Sequence, residues 1–451
     1  MNRYQKTAAL TVLLALVAQA CVEHRPVRNG LRNESVYLEK ATVLKTPAAH
    51  EDYWLHKMTV VKTSSPNVVG NYAFPGFESA LSMVQFRFNE DKLQVLDARQ
   101  LQPDDPDDPN DDTATRTDRV MFEFNGSHVD IKLRESLDGE RTNYLEENYE
   151  ADWQDRQKFK VDFESSNMSP VASIVWYYGE FLHQCARPMS SSLVPDSYEF
   201  DQNEDGADMG QHLSFVVEVN YALNLTGYCW DMVSLLTDTG TATIRYRMSF
   251  LRPKVQPEGP TAFEPQHLAE KDPARKKYGA FQHLNFFRDP DSGLLDAHAV
   301  LHRWNPNRPS DDPVVFYFHE GFPPRFKPMF DEIRDQTNAV MAEAGATLRF
   351  DFRDHNYDGV ERHLGDVRYS FVVWHQDIDT TRGLLGYGPS SASPVTGEIM
   401  SANLHLYNIG LDWYRFLVQD YLETFGADPH AEDSPAWDET ACAPGETRAP
   451  S

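Results

Sequence analysis

Between Tyr53 and Arg252 apolar residues recur at strand-like intervals. Trp54–Thr63 mixes apolar and β-branched residues, including Met58, Val60 and Val61. Ser82–Phe88 and Leu93–Leu96 flank Asn89-Glu90-Asp91, which predicts a hairpin. Val120–Phe124 and Val129–Leu133 flank Asn125-Gly126, the strongest short hairpin signal in the chain, and predict a second. Lys158–Phe163, Leu213–Val219 and Thr241–Phe250 are further strand candidates. In the last, Ile244, Tyr246, Met248 and Phe250 share one face. Ser173–Cys185 fits a helix or a strand, and periodicity does not decide. The acidic, Pro-bearing run Asp104–Asp112 belongs in a loop. Residues 53–252 therefore read as one β-rich domain, a sandwich or a barrel.

Residues 253–312 carry Pro253, Pro257, Pro260, Pro265 and Pro273 and read as a linker and connecting segment. From Pro313 the pattern changes. Val314–Phe318 is a buried-strand run. Phe326–Ala344 predicts an amphipathic helix with Phe330, Ile333, Val340, Met341 and Ala344 near one face and Gly345 as its stop. Thr347–Phe352, Tyr369–Trp374 and Ile399–Tyr407 are strands, and Leu411–Leu422 is another helix. Strand–helix–strand with short joins implies a right-handed crossover and a mixed sheet. The fold class is α+β: a β-rich N-terminal domain, then a 313–425 αβ domain. The acidic, aperiodic residues 426–451 read as a disordered tail.

Charge and the N-terminus narrow the function classes. Asp and Glu number 69 against 42 Lys and Arg, a formal net charge of −27 over 451 residues. Binding nucleic acid needs a basic footprint, so that partner is excluded. The field instead favours divalent cations. Met1–Ala20 has the order of an export signal: basic Arg3 and Lys6, an apolar Ala8–Ala18, then small residues. Cys21 follows at once and resembles the lipidation cysteine of bacterial lipoproteins, although Ala18 stands where Leu is usual. Ordinary secretion with a free Cys21 is the competing reading. No stretch beyond residue 20 is apolar enough to span a bilayer, so a lipid anchor at the outer membrane or cell surface is the only membrane attachment expected. Residues 21–52 read as a flexible leader. In an oxidising compartment Cys185 and Cys229 are the expected disulfide, stabilising by about 4 kcal/mol on a chain-entropy account. The alternative is that both stay reduced.

Several catalytic patterns are missing. There is no P-loop and no C-x-x-C. Gly388-Pro389-Ser390-Ser391-Ala392 only approaches a nucleophile elbow and precedes a strand. His319-Glu320 is followed by Pro323 where a zinc helix needs its second His, so it reads as a strand end or turn. Two stretches match the first half of a calcium loop: Asp201, Asn203, Asp205 with Gly206, and Asp354, Asn356, Asp358 with Gly359. Alternate oxygens before a glycine can wrap a hard cation, but position twelve is His212 in one and Gly365 in the other. The competing reading is an Asp/Asn/Gly turn. His355, His363, His375 and His405 are the one histidine group close enough in sequence to name, with no shared helical face.

Residues 314–407 contain VVFYFHEGFPPRFKPMFDEIRDQTNAVMAEAG, GDVRYSFVVWHQ and GYGPSSASPVTGEIMSANLHLY. This resembles exported bacterial zinc-dependent metalloproteases of the metzincin clan. Arg368-Tyr369 and Trp374 fit one family strand. Gly388-Pro389-Ser390 and Thr396-Gly397-Glu398-Ile399 fit the segment that leads into the substrate-lining edge strand, with Ser393 where Asp is usual. The resemblance implies peptide-bond hydrolysis as the family activity and a peptide or protein substrate. It also implies a zinc helix downstream, and no residue of this chain corresponds to its H-E-x-x-H ligands or general base. The expectation is a truncated, split or decayed member, inactive alone, to which a C-terminal protease half on another chain would be the partner. The alternative is a cell-surface binding or structural lipoprotein.

Overall fold

Alternate residues of two antiparallel strands, Gln211–Leu223 and Thr241–Arg252, fill the largest core of the protein. Leu213, Phe215, Val217, Val219 and Tyr221 of one meet Ala242, Ile244, Tyr246, Met248 and Phe250 of the other. Period-two alternation puts all ten on one face. The Tyr221 and Tyr246 hydroxyls satisfy each other there at 2.8 Å. The computed structural model describes residues 26–31, 36–44, 53–64, 75–100, 114–168, 186–201, 211–224, 226, 240–252, 262–269, 273, 281–288, 295–376 and 386–425.

The first sheet has twelve strands, and its pairing is antiparallel except at β1. They are β1 (Arg28–Asn29), β2 (Val36–Glu39), β3 (Trp54–Thr63), β4 (Ser82–Phe88), β5 (Lys92–Gln100), β6 (Ala114–Glu135), β7 (Arg141–Asn148), β8 (Lys158–Met168), β9 (Ala186–Leu193), β10 (Glu199–Asp201), β11 (Gln211–Leu223) and β12 (Thr241–Arg252). The path runs β1-β7-β6-β5-β4-β3-β12-β11-β10; β8 joins β2 to β6, and β9 pairs β11. A short helix, α1 (Lys40–Leu44), follows β2.

Asn125-Gly126 is not a turn. β6 runs through it as one 22-residue strand, pairing β5 before it, β7 after it and β8 across it. A Cβ on Gly126 would lie 2.3 Å from the Lys160 carbonyl oxygen and 2.5 Å from the Phe159 ring. The glycine is needed for close approach of a neighbouring strand, which local turn statistics do not register.

Part of the expected leader is built into the fold. β2 pairs β8, and Val36, Leu38 and Val43 are buried in the main core. Likewise, the expected linker contains a small antiparallel sheet, β13 (His267–Ala269), β14 (Gln282–Arg288) and β15 (Leu295–Leu301), in the order β13-β15-β14. The prolines that suggested a linker lie between or before these short strands.

The remaining elements are β16 (Val314–Phe318), α2 (Lys327–Glu343), β17 (Phe350–Asp354), β18 (Ser370–His375), β19 (Gly386–Tyr387), β20 (Ser390–Ala392), β21 (Ile399–Tyr407) and α3 (Asn408–Phe425). They form an α+β region on a mixed sheet ordered β17-β16-β18-β21-β19, with β20 also on β21. β17, β16, β18 and β21 are mutually parallel, and β19 and β20 are antiparallel. Among the described residues no helix is long and apolar enough to cross a membrane.

Helix α2 stops where expected: Gly345 has φ 80° and the Ala346 amide donates to the Met341 carbonyl. That is the bond pattern of a glycine-closed helix end. Its inward face differs from the expected one. Phe330 is buried, while Ile333 and Val340 are exposed. The docking stripe is Phe330, Arg334 and Asn338, spaced by four. Arg334 pairs with Asp351 at 3.9 Å, and the Asn338 amide exchanges two hydrogen bonds with the Phe350 backbone. Polar side chains thus hold a face that hydropathy alone assigns to solvent.

The two sheets meet through the second faces of β3 and β12. Their core-facing residues alternate with Leu55, Lys57, Thr59, Arg247, Ser249 and Leu251, which are also buried. Leu55 and Leu251 pack with Val367, whose amide donates to Ser249 Oγ at 3.0 Å.

Candidate functional site

Parallel pairing sets the carboxyl ends of β16 and β17 level, and β18, between β16 and β21, runs three residues further. Phe318 at the end of β16 lies opposite Asp354 of β17 and Val372 of β18. The next residue after β16 is His319, the next after β17 is His355, and β18 ends on His375. The His319 amide still donates to the Val372 carbonyl (2.9 Å), and the His355 amide to the Phe318 carbonyl (3.2 Å). Crevices beyond the carboxyl ends of parallel strands are common ligand sites. Here the ends border a cleft of about 300 Å³ lined by His319, Glu320, His355, Glu361, His363 and His375, with Arg247 and Arg362 at its wall.

The ring orientations are partly set. His319 Nδ1 lies 2.9 Å from the Glu320 carbonyl oxygen. A carbonyl only accepts, so Nδ1 carries the proton and Nε2 of the neutral ring keeps its lone pair. His375 Nε2 lies 2.9 Å from Nδ1 of His405, a residue of β21 behind the cleft wall. Burial, with His319 nearby, pushes His375 down to about 4. Burial also holds His405 well below the usual imidazole range, helped by His375 and Lys57. His405 stacks on Tyr387, and Tyr387 on Phe77. The antiparallel edge of the sheet is thus linked ring by ring to the cleft.

Two buried polar clusters fasten the sheets around this site. In the first, Lys57 Nζ lies 3.3 Å from a Glu78 carboxylate oxygen, and the Asn403 side-chain amide donates to the same carboxylate. Asn403 also accepts from the Phe371 amide at 2.7 Å.

In the second cluster, Asp366 meets His212 Nε2 at 3.1 Å and Arg368 at 2.8 Å. Arg368 reaches Glu199 at 2.6 Å. Burial alone would raise the Asp366 pKa, but His212 and Arg368 more than reverse that and hold it well below the carboxylate range. Among the described residues, Glu199, His212 and Asp366 bring three potential ligand atoms within 4.8 Å of one another. The guanidinium of Arg368 already bonds both carboxylates, so a protein cation occupies the electrostatic position a metal would take.

The residues singled out from sequence are distributed unevenly. Gly388, Pro389 and Ser390 lie along the antiparallel edge. Gly397 follows a turn at 394–396, Glu398 makes an isolated parallel bridge with Arg303, and Ile399 begins β21. Gly397 has φ 77°, and a Cβ there would lie 2.2 Å from the Leu301 carbonyl oxygen. Ser393 Oγ accepts from the Val395 and Thr396 amides, the capping role an Asp would perform at that position. Asp354 pairs with Lys327, and Asp358 with both terminal nitrogens of Arg362. Asn356 precedes a short 3₁₀ turn and makes no side-chain cap. Those carboxylates are matched to separate protein cations. Asp201 ends β10. Asn203, Asp205, Cys21, Cys185 and Cys229 lie outside the described residues, as do the expected signal and tail.

Of the histidine group, His355, His363 and His375 line one cleft together with His319, and His405 lies behind its wall. Helical spacing could not reveal this, because the side chains come from the ends of different strands and, for His363, from the segment between β17 and β18. The available signal was a histidine at or just beyond three strand termini. Comparison with protein-family models, with curated proteins and with solved structures finds no match to this chain.

Proposed function

We propose that this chain is an exported, metalloprotease-like scaffold that holds an extended peptide along the β19 edge and does not hydrolyse it. The observation that carries this reading is the order of the mixed sheet: four parallel strands closed by an antiparallel edge whose Gly386 and Gly388 are exposed. An added strand needs backbone donors and acceptors, and glycines leave room for it. Stacking of Tyr387 on Phe77 and His405 supports a rigid edge. The helix after β21, α3, has the sequence NIGLDWYRFLVQDYLETF and contains no histidine. No zinc-activated water is therefore assigned to this helix. The sequence of Met1–Cys21 supports a location outside the cytoplasm, by lipid anchor or by secretion.

Binding of labelled extended peptides to the purified chain, followed by fluorescence anisotropy, tests the reading. Backbone N-methylation at alternate peptide residues should abolish binding in one register and spare it in the other. Failure of every peptide in an unbiased library to bind would overturn it.

A further inference from the structure

The proposed peptide scaffold does not use the histidine cleft, which opens at the carboxyl ends of β16 and β17. We infer that it is a binding site for a divalent transition-metal ion of the imidazole-preferring class, held by His319, His355 and His363 with the Glu361 carboxylate.

Three features support it. The first is placement: His319 and His355 leave adjacent parallel strands at the same level, and His363 lies on the segment that returns to β18. The second is ligand chemistry. The bond from His319 Nδ1 to the Glu320 carbonyl leaves Nε2 as the free lone pair, and such a second-sphere bond fixes ring orientation at metal sites. Imidazoles with one carboxylate suit Zn²⁺, Ni²⁺ or Cu²⁺ and are a poor set for Ca²⁺ or Mg²⁺. The third is access: His363 and Glu361 are solvent-exposed beside the half-buried His319 and His355, and an ion would draw these two exposed side chains inward, since their ligand atoms are not yet gathered within 4.8 Å.

The other cations near the cleft do not fill it. Arg362 is committed to Asp358 and to the Tyr357 and Val360 carbonyls. Arg247 donates to Ser214 Oγ at 3.3 Å on the opposite, β-rich side.

The test uses the full chain, stripped with chelator and titrated with Zn²⁺ by calorimetry and with Co²⁺ by visible absorption. One equivalent of each should bind. The cobalt spectrum should show ligand-field bands without a thiolate charge-transfer band, which separates the site from any cysteine. His355→Gln and His363→Gln should each weaken Zn²⁺ binding by roughly tenfold or more. Both positions have solvent access, so the variants should keep the parent unfolding temperature. Glu199→Gln should leave affinity unchanged. Absence of stoichiometric binding, unchanged affinity in the His355→Gln/His363→Gln double variant, or loss of binding in Glu199→Gln would each overturn the assignment.

Discussion

Lys57 of β3 and Glu78 form an ion pair at 3.3 Å with 0% and 1% of their side-chain surfaces exposed. The pair joins the β-rich sheet to β21 through Asn403 and Ser401. Removing one partner leaves a buried charge without compensation, which costs about 3–5 kcal/mol. Lys57→Met and Glu78→Leu should each lower stability by that order in urea denaturation. The double variant should recover much of the loss. Additive losses in the cycle would show that the two charges do not act as a unit.

Stability should fall with acid for two distinct reasons. Burial drives His56 down to about 3, below its unfolded value of about 6.5. A depressed folded pKa means that the unfolded chain takes up the proton first. The contribution is therefore complete above about pH 6.5 and shrinks by up to about 1.4 kcal/mol per pH unit below it. His56→Leu should flatten that slope in urea titrations between pH 6.5 and 4. Asp366 is also depressed, so its contribution is complete above about pH 4 and lost as pH falls from there. Asp366→Asn should remove the stabilisation at pH 7 and leave the His56 slope in place.

Gly126 provides a test of the long strand. A methyl group there would meet the Lys160 carbonyl oxygen and the Phe159 ring. Gly126→Ala should destabilise by about 1–3 kcal/mol, as overpacking does. An unaltered unfolding midpoint would contradict the close packing of β8 against β6 at this position.

The helices carry exposed apolar side chains: Met329, Ile333 and Val340 on α2, and Phe416, Val418, Tyr421 and Leu422 on α3. Apolar patches of this kind promote association. Sedimentation velocity should show concentration-dependent self-association that Ile333→Glu combined with Tyr421→Glu reduces, with the thermal midpoint unchanged. Strictly monomeric parent protein would contradict this.

Legibility followed the range of the forces involved. Trp54–Thr63, Ser82–Phe88, Val314–Phe318 and Ile399–Tyr407 stand where apolar pattern places them, because period-two burial is written locally. Gly126 was misleading because its requirement comes from Phe159 and Lys160, which are distant in sequence. The inward face of α2 was missed because Arg334 and Asn338 dock through Asp351 and the Phe350 backbone. For the same reason, the histidine cleft depends on which strands become neighbours. Three of the four histidines that line it, His355, His363 and His375, stand out in the sequence as a group, but only parallel pairing of β16 with β17 brings His319 to His355.

Hydrolysis is the most direct measurement on the central claim. Purified full chain should be assayed on fluorescent casein with added zinc, with and without chelator. The expected result is no turnover above the protein-free rate in either condition, while extended peptides still bind. Chelator-sensitive casein cleavage that co-purifies with the chain would contradict a scaffold without hydrolytic machinery.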